Sequence, residues 1–281
     1  MPSGIVWMEL SMSTSNDPID TEQAPAIIVT EGPAMPNPRE KSLLHAWSLS
    51  FLAAVLTLAG LCFYKPDPYW EVMKFVPDGL LVTFQITIIS LCFVIPIGLF
   101  TGLGKLSRCR PINLLASTYV EIIRGIPLLM QLFYIYYALG SMLKVSPTVA
   151  AVAALSICYG AYMGEVFRAG ILSVPKGQSE AARSLGFNRF QTMTLVILPQ
   201  ALRTIIPPVG NESIALLKDT SLVSVIAVAD VLRRGREYAS QTFEYFETYT
   251  VIALVYLIIT LLLSKVLSMV EGRLSRYEHH R

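Results

Sequence analysis

Long uncharged runs alternate along the chain with short polar stretches. About 20 apolar residues in helical form cross the hydrocarbon core of a bilayer. The first such run covers 42–64, between Lys41 and Lys65, with Trp47 and Tyr64 near its ends where aromatic rings suit the interface. Residues 65–78 carry Pro66, Pro68 and Pro77 beside Tyr69 and Trp70. Proline removes backbone donors, so this stretch reads as a loop or interfacial element. The second run, 79–104, contains Pro96 and Gly98, which permit a kink inside a membrane helix. The third opens at Pro111, a favourable first helical position, and continues to Leu139. The fourth covers 147–170. A polar stretch, 173–191, precedes a fifth run at 192–209 that Pro199, Arg203, Pro207 and Pro208 interrupt. Residues 221–229 are apolar but too few to cross. The last run covers 248–264.

Basic residues give the sidedness, because cytoplasmic loops are enriched in Lys and Arg. Lys105, Arg108 and Arg110 follow the second run, the 173–191 stretch is basic, and Lys265, Arg273 and Arg276 follow the last. Six passes that begin inside place all three on the cytoplasmic side, with both termini cytoplasmic. Arg233, Arg234 and Arg236 fall outside in this scheme, and Glu237, Glu244 and Glu247 nearby are expected to offset them.

Composition agrees. Only 15% of residues are charged and 53% are hydrophobic. Soluble domains carry about 25% charge. Mean hydropathy is +0.55. The net charge of +2 implies no nucleic-acid partner. Cys62, Cys92, Cys109 and Cys158 are scattered without ligand spacing and read as small packing residues. Neither a metal cluster, a Ser/His/Asp set nor a P-loop is present in the sequence, so no cofactor and no catalytic residue is expected in this chain. Residues 1–41 are polar, Pro-rich and net acidic, unlike a cleavable signal peptide, and are expected to be a disordered cytoplasmic tail. His279 and His280 close a short second tail, 272–281.

The 173–191 stretch carries more chemistry than a connector requires. Pro175 and Gly177 are expected to end the preceding helix, and Gln178 or Ser179 to cap a short new one with Glu180 in its first turn. Ala181 and Ala182 allow another surface to approach closely. Gly186 can adopt positive φ and turn the chain. Phe187 and Phe190 are apolar with no membrane to enter. A plain helix–turn–helix connection between two spans gives the same pattern.

Here the sequence resembles a family. Glu180-Ala181-Ala182, three residues, Gly186, nine residues, Val196, one residue and Leu198-Pro199 look like the EAA loop of ABC-importer permeases, with valine replacing the usual isoleucine. The runs GLLVTFQ at 79–85, EIIRGIPLLMQL at 121–132, YMGEVFRAGI at 162–171 and LLKDTSLVSVI at 216–226 resemble the polar amino acid branch, which takes up histidine, glutamine, glutamate, arginine or opines. The likeness covers 79–271, with the EAA loop at 173–199. The family core has five spans, so residues 42–78 read as an added N-terminal helix and periplasmic loop.

The resemblance implies an all-α, polytopic membrane bundle of the type I ABC-importer permease kind, with about six transmembrane helices. It implies a bacterial inner-membrane permease that moves a polar amino acid by alternating access. Its expected partners are an ATPase dimer at the cytoplasmic face that uses the ATP, a second permease copy or a sister permease, and a periplasmic or lipid-anchored amino-acid-binding protein. Glu180, Ala181, Ala182 and Gly186 are the expected ATPase-coupling residues.

Membrane-depth charges are costly and usually face the bundle interior. Glu121 and Arg124, three apart on one helix face, are either an intrahelical pair or part of the pathway. Glu165 and Arg168 share that ambiguity. Asn211, Glu212, Lys218 and Asp219, with Thr220 and Ser221, surround an expected break after Pro207-Pro208, where unwound backbone and opposed charges suit a zwitterion. They serve equally as gate or dimer contacts. Gln85, Tyr134 and Tyr137 are further lining candidates. An ion-gradient-driven secondary transporter, or an ABC permease for a non-amino-acid solute, are the alternatives.

Overall fold

The computed structural model describes residues 46–276. The expected 1–41 tail, the start of the first run and His279 and His280 lie outside that range. The elements are α1 (Ala46–Tyr64), α2 (Pro66–Lys105), α3 (Arg110–Gly125), α4 (Leu128–Phe133), α5 (Gly140–Leu143), α6 (Pro147–Leu172), α7 (Lys176–Ser184), α8 (Arg189–Gln191), α9 (Leu198–Asp219), α10 (Val231–Thr242) and α11 (Tyr245–Arg276). Two π-helical segments, Tyr134–Leu139 and Thr192–Ile197, and a 3₁₀ helix, Thr220–Ile226, join them. No β-strand occurs among the described residues. Five helices are long and apolar enough to cross a membrane, and the bent α3–α4 pair makes a sixth.

Three readings of the sequence need correction. First, 66–78 is helix, so of the two readings given for 65–78 the loop is excluded. Pro66 and Pro68 sit in the first turn of α2, where the missing N–H has no intrahelical partner anyway, and only Asp67 departs from helical φ/ψ. At 1.5 Å per residue, α2 is about 60 Å long against a hydrocarbon core of about 30 Å. Its first turns therefore stand outside the hydrocarbon, where Tyr69, Val72 and Val76 pack on Val251 and Val255 of α11.

Second, the third run is not straight. Arg110–Gly125 and Leu128–Leu139 meet at 101°. Pro127 pushes Ile126 to extended backbone (φ −107°, ψ 128°). The Ile123 carbonyl, four residues before Pro127, loses its amide donor.

Third, Pro207 and Pro208 lie inside α9 without ending it. The irregular backbone lies later, at the 3₁₀ helix 220–226 and at Ala227, which has φ 66°.

Close packing sets the helix directions. A methyl at Gly98 would fall 2.6 Å from the Met163 side chain, and one at Gly102 would fall 2.8 Å from the Gly164 carbonyl. Small residues that let backbones approach drive helix association in membranes. These pairs make α2 and α6 parallel. Gly170 meets Ile205, and Tyr159 meets Asp219, so α6 and α9 are antiparallel. The core of Leu155, Met163, Ile205 and Leu216 lies between them. Helix α1 is clamped to α11 at both ends. Trp47 Nε1 donates to the Leu261 carbonyl at 2.8 Å, with Lys265 over the indole at 5.0 Å, and Lys65 pairs with Glu247 at 3.5 Å.

The same pairings place α7 and the 105–110 stretch at one end of the bundle and α10 at the other. Gly79 and Gly235 seat α10 tightly against α2 and α11, each leaving no room for a Cβ. The α10 arginines are partly neutralised as the sequence suggests: Arg233 pairs with Glu237 at 2.7 Å.

Candidate functional site

Two places combine exposed or buried polar groups with the residues singled out from sequence. One is α7. It starts one residue after Pro175, at Lys176, so Gly177 lies inside it and Glu180 is mid-helix, not in a first turn capped by Gln178 or Ser179. The reason is that Pro175 already sets the entry with extended backbone (φ −56°, ψ 137°). The helix stops as a Schellman motif. Phe187 N donates to the Ala182 carbonyl at 3.1 Å and Gly186 N to the Arg183 carbonyl at 2.9 Å, with Gly186 at φ +86°. Asn188 and Gln191 then form a reciprocal capping box that starts the next helix. Turn and restart are thus both fixed by local hydrogen bonds.

Glu180 and Ala181 face outward, whereas Ala182 is buried, because α7 packs on the π-helical segment 192–197. Only one of the two alanines is therefore open to a partner. Leu185 is 79% exposed and Phe190 76% exposed. Both stand beyond the end of α6, where apolar surface of this kind marks an interaction site.

The other place is a cavity of about 440 Å³ at the α3–α4 bend, lined by Arg124, Gly125–Leu128, Cys158, Tyr159, Tyr162, Glu212 and Asp219. Gln131 is buried behind the bend. Its Nε2 donates at 2.8 Å to the Ile123 carbonyl and at 2.8 Å to the Ile126 carbonyl, and it reaches Cys158 Sγ at 3.8 Å. The Arg124 guanidinium lies 5.0 Å over the Tyr162 ring. The Tyr159 hydroxyl donates to Asp219 Oδ2 at 2.8 Å. One fixed cation and two carboxylates thus face a common space.

Arg124, Glu212 and Asp219 are the sequence candidates that the fold brings together. Glu121 is exposed and has no ion pair among the described residues. Asn211 and Lys218 point off the cavity and are exposed. Thr220 is buried and spends its hydroxyl on the Leu217 carbonyl, while Ser221 is half-buried outside the lining. Gln85, Tyr134 and Tyr137 are exposed and line none of this space. Glu165 and Arg168 do pair, at 2.7 Å, and Lys105 joins them at 2.5 Å from α2. Sequence reasoning missed Tyr159, Tyr162 and Gln131. The only available signal was their inclusion in the 121–132 run, in the 162–171 run and one turn before it.

A family model described as the binding-protein-dependent transport system inner membrane component matches residues 94–276. The L-cystine transport system permease protein TcyB of Bacillus subtilis is 42% identical over 74% of this chain and 89% of its own. The glutamine transport system permease protein GlnP of Escherichia coli is 38% identical over 73% of this chain and 95% of its own. Among solved structures, an amino acid ABC transporter crystallised with histidines matches with TM-score 0.69 and 43% identity, over 72% of this chain and 95% of that one. The inward-facing MetNI methionine ABC transporter matches with TM-score 0.63 over 73% of this chain at 20% identity, a likeness of fold alone.

Proposed function

The chain belongs to the binding-protein-dependent transport system inner membrane components, and from that premise we propose how its two sites divide the work of an amino acid importer. It is a multi-pass inner-membrane permease subunit of an ABC importer for amino acids. Translocation is its task. ATP binding and hydrolysis fall to a separate ATPase pair, and this chain uses no cofactor of its own.

In this reading α7 is the contact with the ATPase. The observation that carries it is the exposed ridge of Glu180, Ala181, Leu185 and Phe190, held rigid by the Gly186 Schellman turn at the end of α7. Ala181 lets the partner approach, Glu180 meets a basic group there, and Ala182 fastens α7 to its own bundle. Movement of the ATPase then passes into α6 and, through residues 188–197, into α9. These two helices wall the cavity. The α7 end of the bundle is therefore cytoplasmic, as are both termini. The α10 end receives an amino-acid-binding protein. A second copy of this chain, or a sister permease, completes the transporter.

The cavity takes a polar amino acid. Arg124 receives the α-carboxylate, and Asp219 with Glu212 receives the α-ammonium. Co-purification of the chain with its ATPase and binding protein, followed by assay of which amino acid stimulates hydrolysis, tests the reading. Stimulation by a polar amino acid supports it, and stimulation only by some other solute refutes it.

A further inference from the structure

A second cavity, of about 540 Å³, lies against the first. Its lining includes Glu165, Gly170, Ser173 and Thr204. It shares Arg124, Tyr162 and Glu212 with the cavity at the bend, and only those three. The order along the helices is informative. On α6 the bend cavity touches residues 158–162 and the second touches 162–173. On α9, which runs the other way, the second cavity touches 204–212 and the bend cavity touches 212–219. The two chambers are therefore stacked end to end, and the step between them falls at Tyr162 on one wall and Glu212 on the other. From 158 to 173, α6 rises about 22 Å, most of the roughly 30 Å of a hydrocarbon core. The lower chamber ends at Ser173, three residues before α7 begins.

What stands at the step is the stack of the Arg124 guanidinium on the Tyr162 ring. We infer that this stack is a barrier dividing one pathway into an upper chamber at the bend and a release chamber next to α7, with Tyr162 as the residue that positions Arg124 across the opening. Arg124 belongs to both chambers, so a carboxylate drawn to it from above competes with the ring for the same cation. Leaving the ring opens the step. A guanidinium over an aromatic face is held weakly enough that a single charged ligand can displace it. Glu212 opposite keeps an anion at the step when the cation moves, and below it Glu165 is held by both Arg168 and Lys105, a group with one positive charge in excess.

The inference rests on the transport reading above, but its test does not need transport. Cys158 lines the upper chamber only, and Ser173 the lower only. In membrane vesicles, a chain with Cys62→Ser, Cys92→Ser and Cys109→Ser keeps Cys158 as its single thiol. A second chain with all four cysteines replaced and Ser173→Cys reports the lower chamber. A charged methanethiosulfonate reagent is added from the side on which Ser173→Cys reacts. Cys158 is expected to react slowly from that side. Tyr162→Ala should accelerate Cys158 by at least about tenfold, equal to about 1.4 kcal/mol, and leave Ser173→Cys unchanged. Tyr162→Phe, which keeps the ring under Arg124, should stay slow. Equal Cys158 rates with and without the ring, or acceleration of both thiols together, would overturn the barrier. No ATPase, binding protein or substrate is present, so failure here is distinct from failure of amino acid uptake in the reconstituted importer.

Discussion

The Gln131 side-chain amide donates at 2.8 Å to the Ile123 carbonyl, the acceptor whose helical donor Pro127 lacks. A buried backbone acceptor without a partner costs about 1–3 kcal/mol. The bend that shapes the upper chamber is therefore stabilised by a side chain eight residues along the sequence from the orphaned carbonyl.

Gln131→Leu should accordingly lower the thermal stability of the detergent-solubilised chain by about 1–3 kcal/mol, since it fills the same volume but supplies no donor. Thermal unfolding followed by circular dichroism checks this. Gln131→Glu should cost at least as much, because a carboxylate would face two carbonyls.

Arg124→Ala and Asp219→Asn should raise the KM for amino acid uptake by at least about tenfold, or about 1.4 kcal/mol of binding. Arg124→Lys should not restore it, because an ammonium has no planar fork with which to grip a carboxylate in two places. Asn211→Ala and Lys218→Ala, off the cavity, should leave KM unaltered. Initial uptake rates in proteoliposomes decide the matter.

The α2–α6 contact offers a packing test. Gly102→Ala places a Cβ 2.8 Å from the Gly164 carbonyl oxygen, which is backbone and cannot swing away. Overpacking of this kind costs about 1–3 kcal/mol. Gly177→Ala, inside α7 with nothing within 4 Å, should lose no stability and gain up to about 1 kcal/mol from helix propensity.

Outside the spans, Asp230 is fully buried at the start of α10, where it accepts from Leu232 N and Arg233 N. Burial pushes its carboxyl from 3.8 up to about 6, against those hydrogen bonds and the Arg233 charge. The folded chain thus holds a proton over a window in which the unfolded chain has lost it. The contribution of this group to stability is greatest below pH 3.8 and is lost as pH rises through about 6. Asp230→Asn keeps the cap and removes the titration. Its melting temperature relative to the parent should rise between those limits and then level off, at an advantage of up to about 3 kcal/mol.

Much of this architecture was legible in the chain itself. The spans follow from uninterrupted apolar runs, which only a helix can carry across hydrocarbon. The Gly186 turn follows from a residue that accepts φ of +86° without cost. Most of the prolines were not legible. Pro96 sits inside its helix as read, but Pro77, Pro207 and Pro208 sit inside helices too, whereas Pro127 breaks one. The difference lies in the neighbours: Ile126 takes extended backbone, and Gln131 returns to satisfy the freed carbonyl. Neither fact is visible at Pro127 alone. Likewise Lys105 meets Glu165 across 60 residues, and Ala182 is buried by a segment that follows it by ten, contacts that only the folded chain creates. The expected break after Pro208 failed for the same reason, since α9 is held from both sides by Gly170 and Leu267.

The most direct test of the account compares Glu180→Lys and Gly186→Asp with the parent in proteoliposomes that contain the ATPase and the binding protein. The parent should accumulate a polar amino acid only with ATP, regardless of protonophore, while both variants insert normally yet lose uptake and amino-acid-stimulated hydrolysis together. Uptake by the variants at the parental rate, or parental uptake driven by an ion gradient without ATP, would contradict it.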